Sequence, residues 1–358
     1  MKSIYDLSFN DLTDYLKENS LSPFVGTQIF DWIYKKKVFD IEHWTNVGKK
    51  TKELLLKDFT FTLPRVVWAG LSKDGTRKFL IRFDDAQVVE TVLIPGERRL
   101  TICLSSQVGC AIGCTFCHTG TQGLTRNLKA SEIVGQLLAI YNWMQKEKDV
   151  TPFHVSNIVF MGQGEPLHNF NHVKKSCEIF LESKGFYFGQ RKVTLSTSGL
   201  VPQIKKLGDF PPVNLAISLH AAHNDVRSEL MPINNVFDLQ TLFSAIKEIP
   251  LKAHRYITFE YILIKEMNDG IEDIKALCEL LPKGISKINL IPFNEYPDSK
   301  FKRPDSQQIK WFMNQLNARG YICTVRRTMG QDILAACGQL KGQQEKLNLW
   351  QDEKTKTA

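Results

Sequence analysis

No run of 18 or more apolar residues occurs in the 358-residue chain, so no segment is expected to cross a bilayer as a helix. The first residues, MKSIYDLSFNDL, lack an apolar stretch and carry acids early. That argues against a secretory signal and gives a cytoplasmic expectation. Low-complexity tracts and short-period repeats are missing, which excludes solenoid and collagen-like architectures. A second CxxC is missing too, and with it the paired ligand sets usual in structural zinc sites. Neither sign of charge dominates: 46 Lys and Arg against 38 Asp and Glu leave a net +8 and a pI near 8.9. So mild an excess neither requires nor forbids a nucleic-acid partner.

What is present is an ordinary globular balance, 43% hydrophobic and 23% charged, at a length that suits one large domain and a smaller one. Basic residues cluster at Lys35, Lys36 and Lys37, at Lys49, Lys50 and Lys52, at Arg98 and Arg99, at Arg191 and Lys192, and at Arg326 and Arg327. Each cluster alone reads as a solvated face. Together they make a phosphate-tracking surface plausible.

Residues 1–60 read as helical. Ser8 is a candidate N-cap ahead of Leu12, Tyr15 and Leu16. Phe30, Ile33 and Tyr34 share a helical stripe, as do Leu54, Leu55 and Phe59. The runs 66–68, 79–83 and 88–94 are β-rich, with Asp74 and Gly75 as a hairpin signal between the first two. Pro95 and Gly96 then break the pattern, which places a boundary near residue 95. Beyond it strands at 100–105, 157–161, 193–196, 213–218, 256–263, 287–291 and 322–325 alternate with helices at 130–143, 172–182, 238–246, 271–281 and 307–317. Such alternation predicts parallel strands with crossover helices, and six to seven repeats suit a full or partial barrel with its chemistry at the strand C-termini. The expected division is a 1–95 helical plus β-hairpin accessory domain, a 96–340 α/β partial barrel of (βα)6 type, and a polar 341–358 tail.

Three of the eight cysteines fall in Cys110-Ala-Ile-Gly-Cys114-Thr-Phe-Cys117, on the loop after the first barrel strand. Clustered cysteines in a reducing compartment point to metal or catalysis. Three thiolates cannot complete the four-thiolate shell of an ordinary 4Fe–4S cluster, so one iron is left open. An open iron can take the amino and carboxylate groups of S-adenosylmethionine (SAM), whose sulfonium is then split to a 5′-deoxyadenosyl radical. The alternative is zinc, with His118 or a distant cysteine as fourth ligand.

The CxxxCxxC spacing resembles the radical-SAM superfamily. Its surroundings sharpen the likeness. SSQVGCAIGCTFCHTGTQGLTRNL, MGQGEPL, LSTSGL, SLHAAHNDVRSELMPIN, LIPFNEYP and AACGQL resemble, in matching order over essentially the whole chain, the RlmN/Cfr family of RNA adenine methyltransferases. The resemblance implies a radical-SAM partial barrel that holds a 4Fe–4S cluster on Cys110, Cys114 and Cys117. It implies SAM contacts at Gly164, Glu165, Ser196, Ser218, Leu219, His220 and Asn294. Taken singly, these are more often satisfied turn residues. Where many relatives carry Met, position 163 is Gln, and little effect is expected there because the backbone makes the contact.

The same resemblance implies that Cys337 carries a methyl group taken from one SAM, that Cys103 resolves the later covalent link through a disulfide, and that Glu90 accepts a proton. On residue type alone Cys103 and Cys337 read as core, like Cys177, Cys278 and Cys323, and a Glu in a β-rich run is usually solvent-facing. The implied activity is carbon-2 methylation of adenosine in 23S rRNA and, in tRNA, beside the anticodon. The implied partners are both RNAs and an electron donor such as flavodoxin or ferredoxin, with a monomeric enzyme and no membrane. Three alternatives stand beside it: carbon-8 methylation by the same machinery, a non-catalytic metal-containing RNA-binding protein, and a radical-SAM enzyme for a small molecule.

Overall fold

The computed structural model describes residues 1–147, 150–151, 153–251, 254–297 and 299–341, so the polar tail expected beyond Lys341 lies outside the described residues. Helix Phe9–Glu18 begins at Ser8 with a reciprocal cap: Ser8 Oγ accepts from Asp11 N, and Asp11 Oδ2 accepts from Ser8 N. Its buried Leu12 and Leu16 belong to the same core as Phe30, Ile33 and Tyr34. Helix Phe24–Phe30 runs directly into a π-helical turn, Asp31–Lys36, closed by Lys37 at φ 58°. Helix Lys49–Asp58 ends one residue before Phe59, which starts the two-residue strand Phe59–Thr60 paired to Lys2–Ser3. Phe59 is therefore buried from a strand, not from the expected helical stripe; Leu55 is buried from the helix and Leu54 only half-buried.

Ten strands form one sheet: β1 (Arg65–Leu71), β2 (Arg77–Arg82), β3 (Val88–Gly96), β4 (Arg99–Cys103), β5 (Asn157–Phe160), β6 (Val193–Thr197), β7 (Asn214–Ser218), β8 (Ile257–Leu263), β9 (Ser286–Pro292) and β10 (Ile322–Val325). Their spatial order is their chain order. β1 to β4 form an antiparallel meander, and β4 to β10 run parallel. The two edges are not paired to each other, so the barrel is open. Helices Ala130–Lys146, Phe170–Leu181, Leu239–Lys247, Ile271–Leu280 and Ser306–Ala318 make the main crossovers, joined by the shorter Val201–Ile204 and Asn224–Leu230. Polar caps set where they start: Asp238 accepts from Thr241 N and Asp305 from Gln308 N, both at 2.8 Å. Their apolar faces, such as Ile133, Val134, Leu137 and Leu138, are fully buried.

The expected break at Pro95 and Gly96 is not there. Both lie inside β3, paired with Leu100 and Arg99, and the accessory hairpin is continuous with the barrel sheet. Leu93 is the last residue of β3 paired to β2, so Pro95 lies past that neighbour, where its missing N–H leaves no gap in the ladder. Among the other cysteines, Cys177 and Cys323 are core and Cys278 is half-buried. No helix among the described residues is long and apolar enough to cross a membrane.

Candidate active site

The C-terminal ends of the parallel strands open onto a cavity of about 160 Å³, lined on one side by Cys110, Cys114 and Cys117. After β4 the chain pairs Gln107–Gly109 with Leu124–Asn127, a small ribbon that frames the cysteine loop. Gly109 adopts φ 77°, and a Cβ there would stand 1.9 Å from Gly123 O, the carbonyl that accepts from Cys110 N. Only glycine fits immediately before the first cysteine. Burial pushes the Cys110 thiol up to about 12 and raises those of Cys114 and Cys117, so thiolates here call for a bound cation.

The glycine-rich turn after β5 packs under this loop. Gly162 touches Leu104 O so closely that a Cβ would lie 2.7 Å from it, and Gly164, at φ 98°, abuts Gln107. Glu165 is 4% exposed; its Oε1 accepts from Leu167 N at 2.9 Å and its Oε2 from Ser198 N at 2.7 Å. The carboxylate thus straps the β5 turn to the end of β6, and burial raises it above the usual carboxylate range. Gln163 departs from expectation. Its side chain is 1% exposed, and its Oε1 accepts from Glu90 N at 3.1 Å. Position 163 therefore connects through its side chain as well as its backbone.

Gly164, Glu165, Ser196, Ser218 and His220 all line the main cavity. His220 sits at φ 62°, its Nδ1 accepts from Ile262 N at 3.0 Å, and its ring meets Phe116 edge-on. Burial, helped by the charge of Arg227, depresses it to about 3, so the ring is neutral. Leu219 and Asn294 stand apart. Leu219 is fully buried and does not line the cavity; its N–H donates to Glu260 O and its carbonyl accepts from Arg227 Nε. Asn294 lines a second cavity, of about 30 Å³, and donates from Nδ2 to Cys337 O at 3.1 Å.

Cys103 and Cys337 both line this second cavity, and Cys337 lines the main one as well. The loop carrying Cys337 is stitched to the cysteine loop: His118 N donates to Gly338 O at 2.7 Å, and Thr119 Oγ1 to Leu340 O at 2.6 Å. Burial, and then Cys337, push the Cys103 thiol up to about 12. Glu90 is not solvent-facing. It is 1% exposed and ion-paired to Lys78, itself 2% exposed, at 3.5 Å. It points inward because its face of β3 is also that of Val92, which clusters with Cys103 and Ala335.

Three residues of the site escape sequence reasoning. Arg326, grouped there with a surface cluster, lines both cavities, and Cys337, then Glu260 and Cys103, hold its guanidinium charged. Glu260, 4% exposed, lines the main cavity while Asn289 Nδ2 donates to its Oε2 at 2.7 Å. Arg227, fully buried, donates to the carbonyls of Ser198 and Leu219 and so ties the ends of β6 and β7 together. The available signal was a charged residue within an apolar run, as in ITFEYIL, where a strand buried on both faces has no other place for it.

The basic clusters divide by position. Arg98 and Arg99 lie at the start of β4, and Arg191 and Lys192 just before β6, on the barrel end opposite the cavities. Lys36 is paired with Asp31 and lies over the Trp32 ring, and Lys37 lies over Tyr141. Arg327, exposed at the end of β10, is on the side of the site.

An open parallel barrel with a three-cysteine loop at its C-terminal mouth defines a radical-SAM enzyme. The Radical SAM superfamily model matches residues 104–281, and the Ribosomal RNA large subunit methyltransferase N-terminal domain matches residues 2–60. A radical SAM methyltransferase from Sphaerobacter thermophilus has the same fold, with TM-score 0.86 and 39% identity over 96% of this chain and 100% of that one. The dual-specificity RNA methyltransferase RlmN of Rhizobium leguminosarum bv. trifolii is 46% identical over 89% of this chain and 82% of its own length. That of Nitratiruptor sp. is 41% identical over 95% and 98% respectively. The chain belongs to the RlmN family of dual-specificity RNA methyltransferases.

This family implies a 4Fe–4S cluster and SAM, and the residues fit both. A cubane takes one thiolate per iron, and here three cysteines of one loop line one cavity. A single zinc ion needs ligands drawn to one point; among the described residues no three His, Cys, Asp or Glu side chains are so grouped. His118 stacks on Tyr296 and does not line the cavity.

Proposed function

We propose that the protein methylates carbon 2 of adenosine in 23S rRNA and, in tRNA, of the adenosine 3′ of the anticodon. The observation that carries this reading is the position of Cys337, at the junction of the cavity lined by the three cluster cysteines and the cavity lined by Cys103. Cys110, Cys114 and Cys117 hold the cluster, with SAM against Gly164, Glu165, Ser196, Ser218 and His220; Leu219 contributes indirectly, its backbone bonded to Glu260 and Arg227 behind the cavity wall, and Asn294 by fixing the Cys337 carbonyl. When bound, cluster and SAM supply a 5′-deoxyadenosyl radical. An electron donor such as flavodoxin or ferredoxin feeds the site, and the enzyme works as a cytoplasmic monomer.

Carbon 2 of adenine is electron-poor and cannot attack a sulfonium methyl, so the protein supplies the nucleophile. Cys337, as thiolate, takes a methyl from one SAM by displacement. Its S-methyl group then gives up a hydrogen atom, and the carbon radical bonds to carbon 2. Glu90 takes the ring proton. Cys103 attacks the Cys337 sulfur; the S–S bond forms and the S–C bond breaks, its pair leaving with the methylene carbon. That carbon gains a proton and becomes a methyl group, and over the sequence the adduct loses one electron, equal to the one that the cluster would supply when bound. A two-electron reduction of the disulfide resets the site. The adenine must be unstacked to reach Cys337, and the helical region 1–60 and the exposed Arg327 are suited to holding folded RNA by shape and phosphate.

Nuclease digestion of treated 23S rRNA and tRNA, followed by mass spectrometry against both methyladenosine standards, tests the reading. The expected product on both RNAs is 2-methyladenosine; 8-methyladenosine refutes it. A second test addresses the cluster loop. Gly109→Ala forces a Cβ into the Gly123 carbonyl at a left-handed φ, a strain of about 1–3 kcal/mol from φ alone. Anaerobically purified Gly109→Ala protein is expected to retain well under half the wild-type iron, and wild-type iron content contradicts the loop assignment.

A further inference from the structure

We propose that Lys78 is a positioning residue that acts through Glu90, holding it ionised and in register with the Cys337 loop. The inference rests on Glu90 being the proton acceptor. Lys78 and Glu90 face each other from β2 and β3, both essentially without solvent, with Nζ and Oε1 3.5 Å apart. A carboxylate in such a place loses its hydration, and its charged form survives only beside a compensating cation. Lys78 is that cation.

The ammonium has a second partner. It donates to Leu334 O at 3.1 Å, and Leu334 lies three residues before Cys337 with φ 52°, a left-handed conformation that a leucine adopts only when held there. The same loop is also fixed to the β1–β2 turn, through Gly330 and Asp332. Gly330 N donates to Asp74 Oδ2 at 2.7 Å, and Asp332 accepts from Ser72 Oγ and, at 3.2 Å, from Lys73 N. From the other side Gln163 Oε1 accepts from Glu90 N, which ties β3 to the turn that carries Gly164 and Glu165. Lys78 therefore touches both the base and the loop bearing the methyl carrier. In the proton step the C–H bond at carbon 2 breaks, its electron pair stays with the ring, and the proton bonds to a Glu90 oxygen. Lys78 exchanges no atom; it keeps Glu90 able to accept.

The test is a double-mutant cycle read on the RNA–Cys337 adduct, with Cys103 present throughout. Glu90→Gln, Lys78→Met and the combined variant, which removes both charges of the pair, are quenched over time and run on denaturing gels. Methylation of Cys337, which needs no base, is followed by mass spectrometry. Lys78→Met is expected to methylate Cys337 yet clear the adduct at least about tenfold more slowly, within the range a general base supplies. Lys78→Arg is expected to recover part of that loss, and the combined variant to match Glu90→Gln alone. Wild-type adduct clearance in Lys78→Met, or losses that multiply in the combined variant, overturn the inference. Wild-type clearance in Glu90→Gln instead sinks the reading of Glu90 as base.

Discussion

Cys337→Ala is expected to leave the RNA unmethylated, a fall of more than about 10³-fold, because removing a covalent carrier removes the route itself. No other cysteine can take its place. Cys103 lies deeper, 4% exposed, and burial with the neighbouring Cys337 sulfur pushes its thiol up to about 12. The remaining cysteines outside the cluster loop, Cys177, Cys278 and Cys323, line neither cavity. Cys337 is set apart by its surroundings. It follows Ala335 and Ala336 and precedes Gly338 at φ 82°, so nothing bulky from its own segment covers the sulfur. Its carbonyl is held by Asn294.

The variant should still bind its cluster, since Cys110, Cys114 and Cys117 are on another loop. Iron content near wild type, with no methyl on the protein and no methyladenosine in the RNA, is the expected combination. Peptide mass spectrometry reads the first and nucleoside analysis the second. Substantial RNA methylation by Cys337→Ala means that the methyl group does not travel on this sulfur. Loss of iron together with activity ascribes the effect to the stitching between Gly338 and His118.

Much of the barrel was readable because its signals are local. Caps such as Ser8 and Asp238, the period of the crossover helices and the apolar strand runs each depend on a few neighbouring residues. The three cysteines and Gly164 are readable for the same reason: their spacing is in the chain. Glu90 shows where this ends. Alternation along β3 leaves its face ambiguous, and only the packing of the Cys337 loop, more than 240 residues away, makes that face an interior one. Lys78, 256 residues from Leu334, is invisible on the same ground. Arg326 and Arg327 look like one surface pair, yet Arg326 lines both cavities, while Arg327 lines only the smaller one and is otherwise exposed. Leu219 and Asn294, to which the family resemblance gives SAM contacts, have side chains that do not line the main cavity. Motif likeness transfers positions; which atom of a residue reaches the ligand depends on the fold around it.

Cys103→Ala is expected to turn a transient species into a stable one: RNA joined covalently to Cys337, in amounts approaching one per protein molecule. The first methyl transfer, the hydrogen removal and the bond to carbon 2 need only Cys337 and the bound cofactors. The step that frees the product needs a second thiol, and Cys103 shares the small cavity with Cys337. With alanine there, the S–C bond has no attacking thiolate, and denaturing gels should show the RNA migrating with the protein until ribonuclease removes it. Timing in the wild type follows from the same charges. Burial raises the Cys103 thiol first, and an anionic Cys337 sulfur adds to that. Once Cys337 carries the adduct its sulfur is neutral, the second contribution is gone, and Arg326 remains as the nearby cation. Cys103 thus becomes easier to ionise after the adduct forms. Below its pKa the thiolate fraction rises about tenfold per pH unit, so adduct decay in the wild type should quicken from about pH 7 to 9. Cys103→Ala should lose that slope together with the decay. An adduct that clears at the wild-type rate without Cys103, or a wild-type decay indifferent to pH, removes this thiol from the release step.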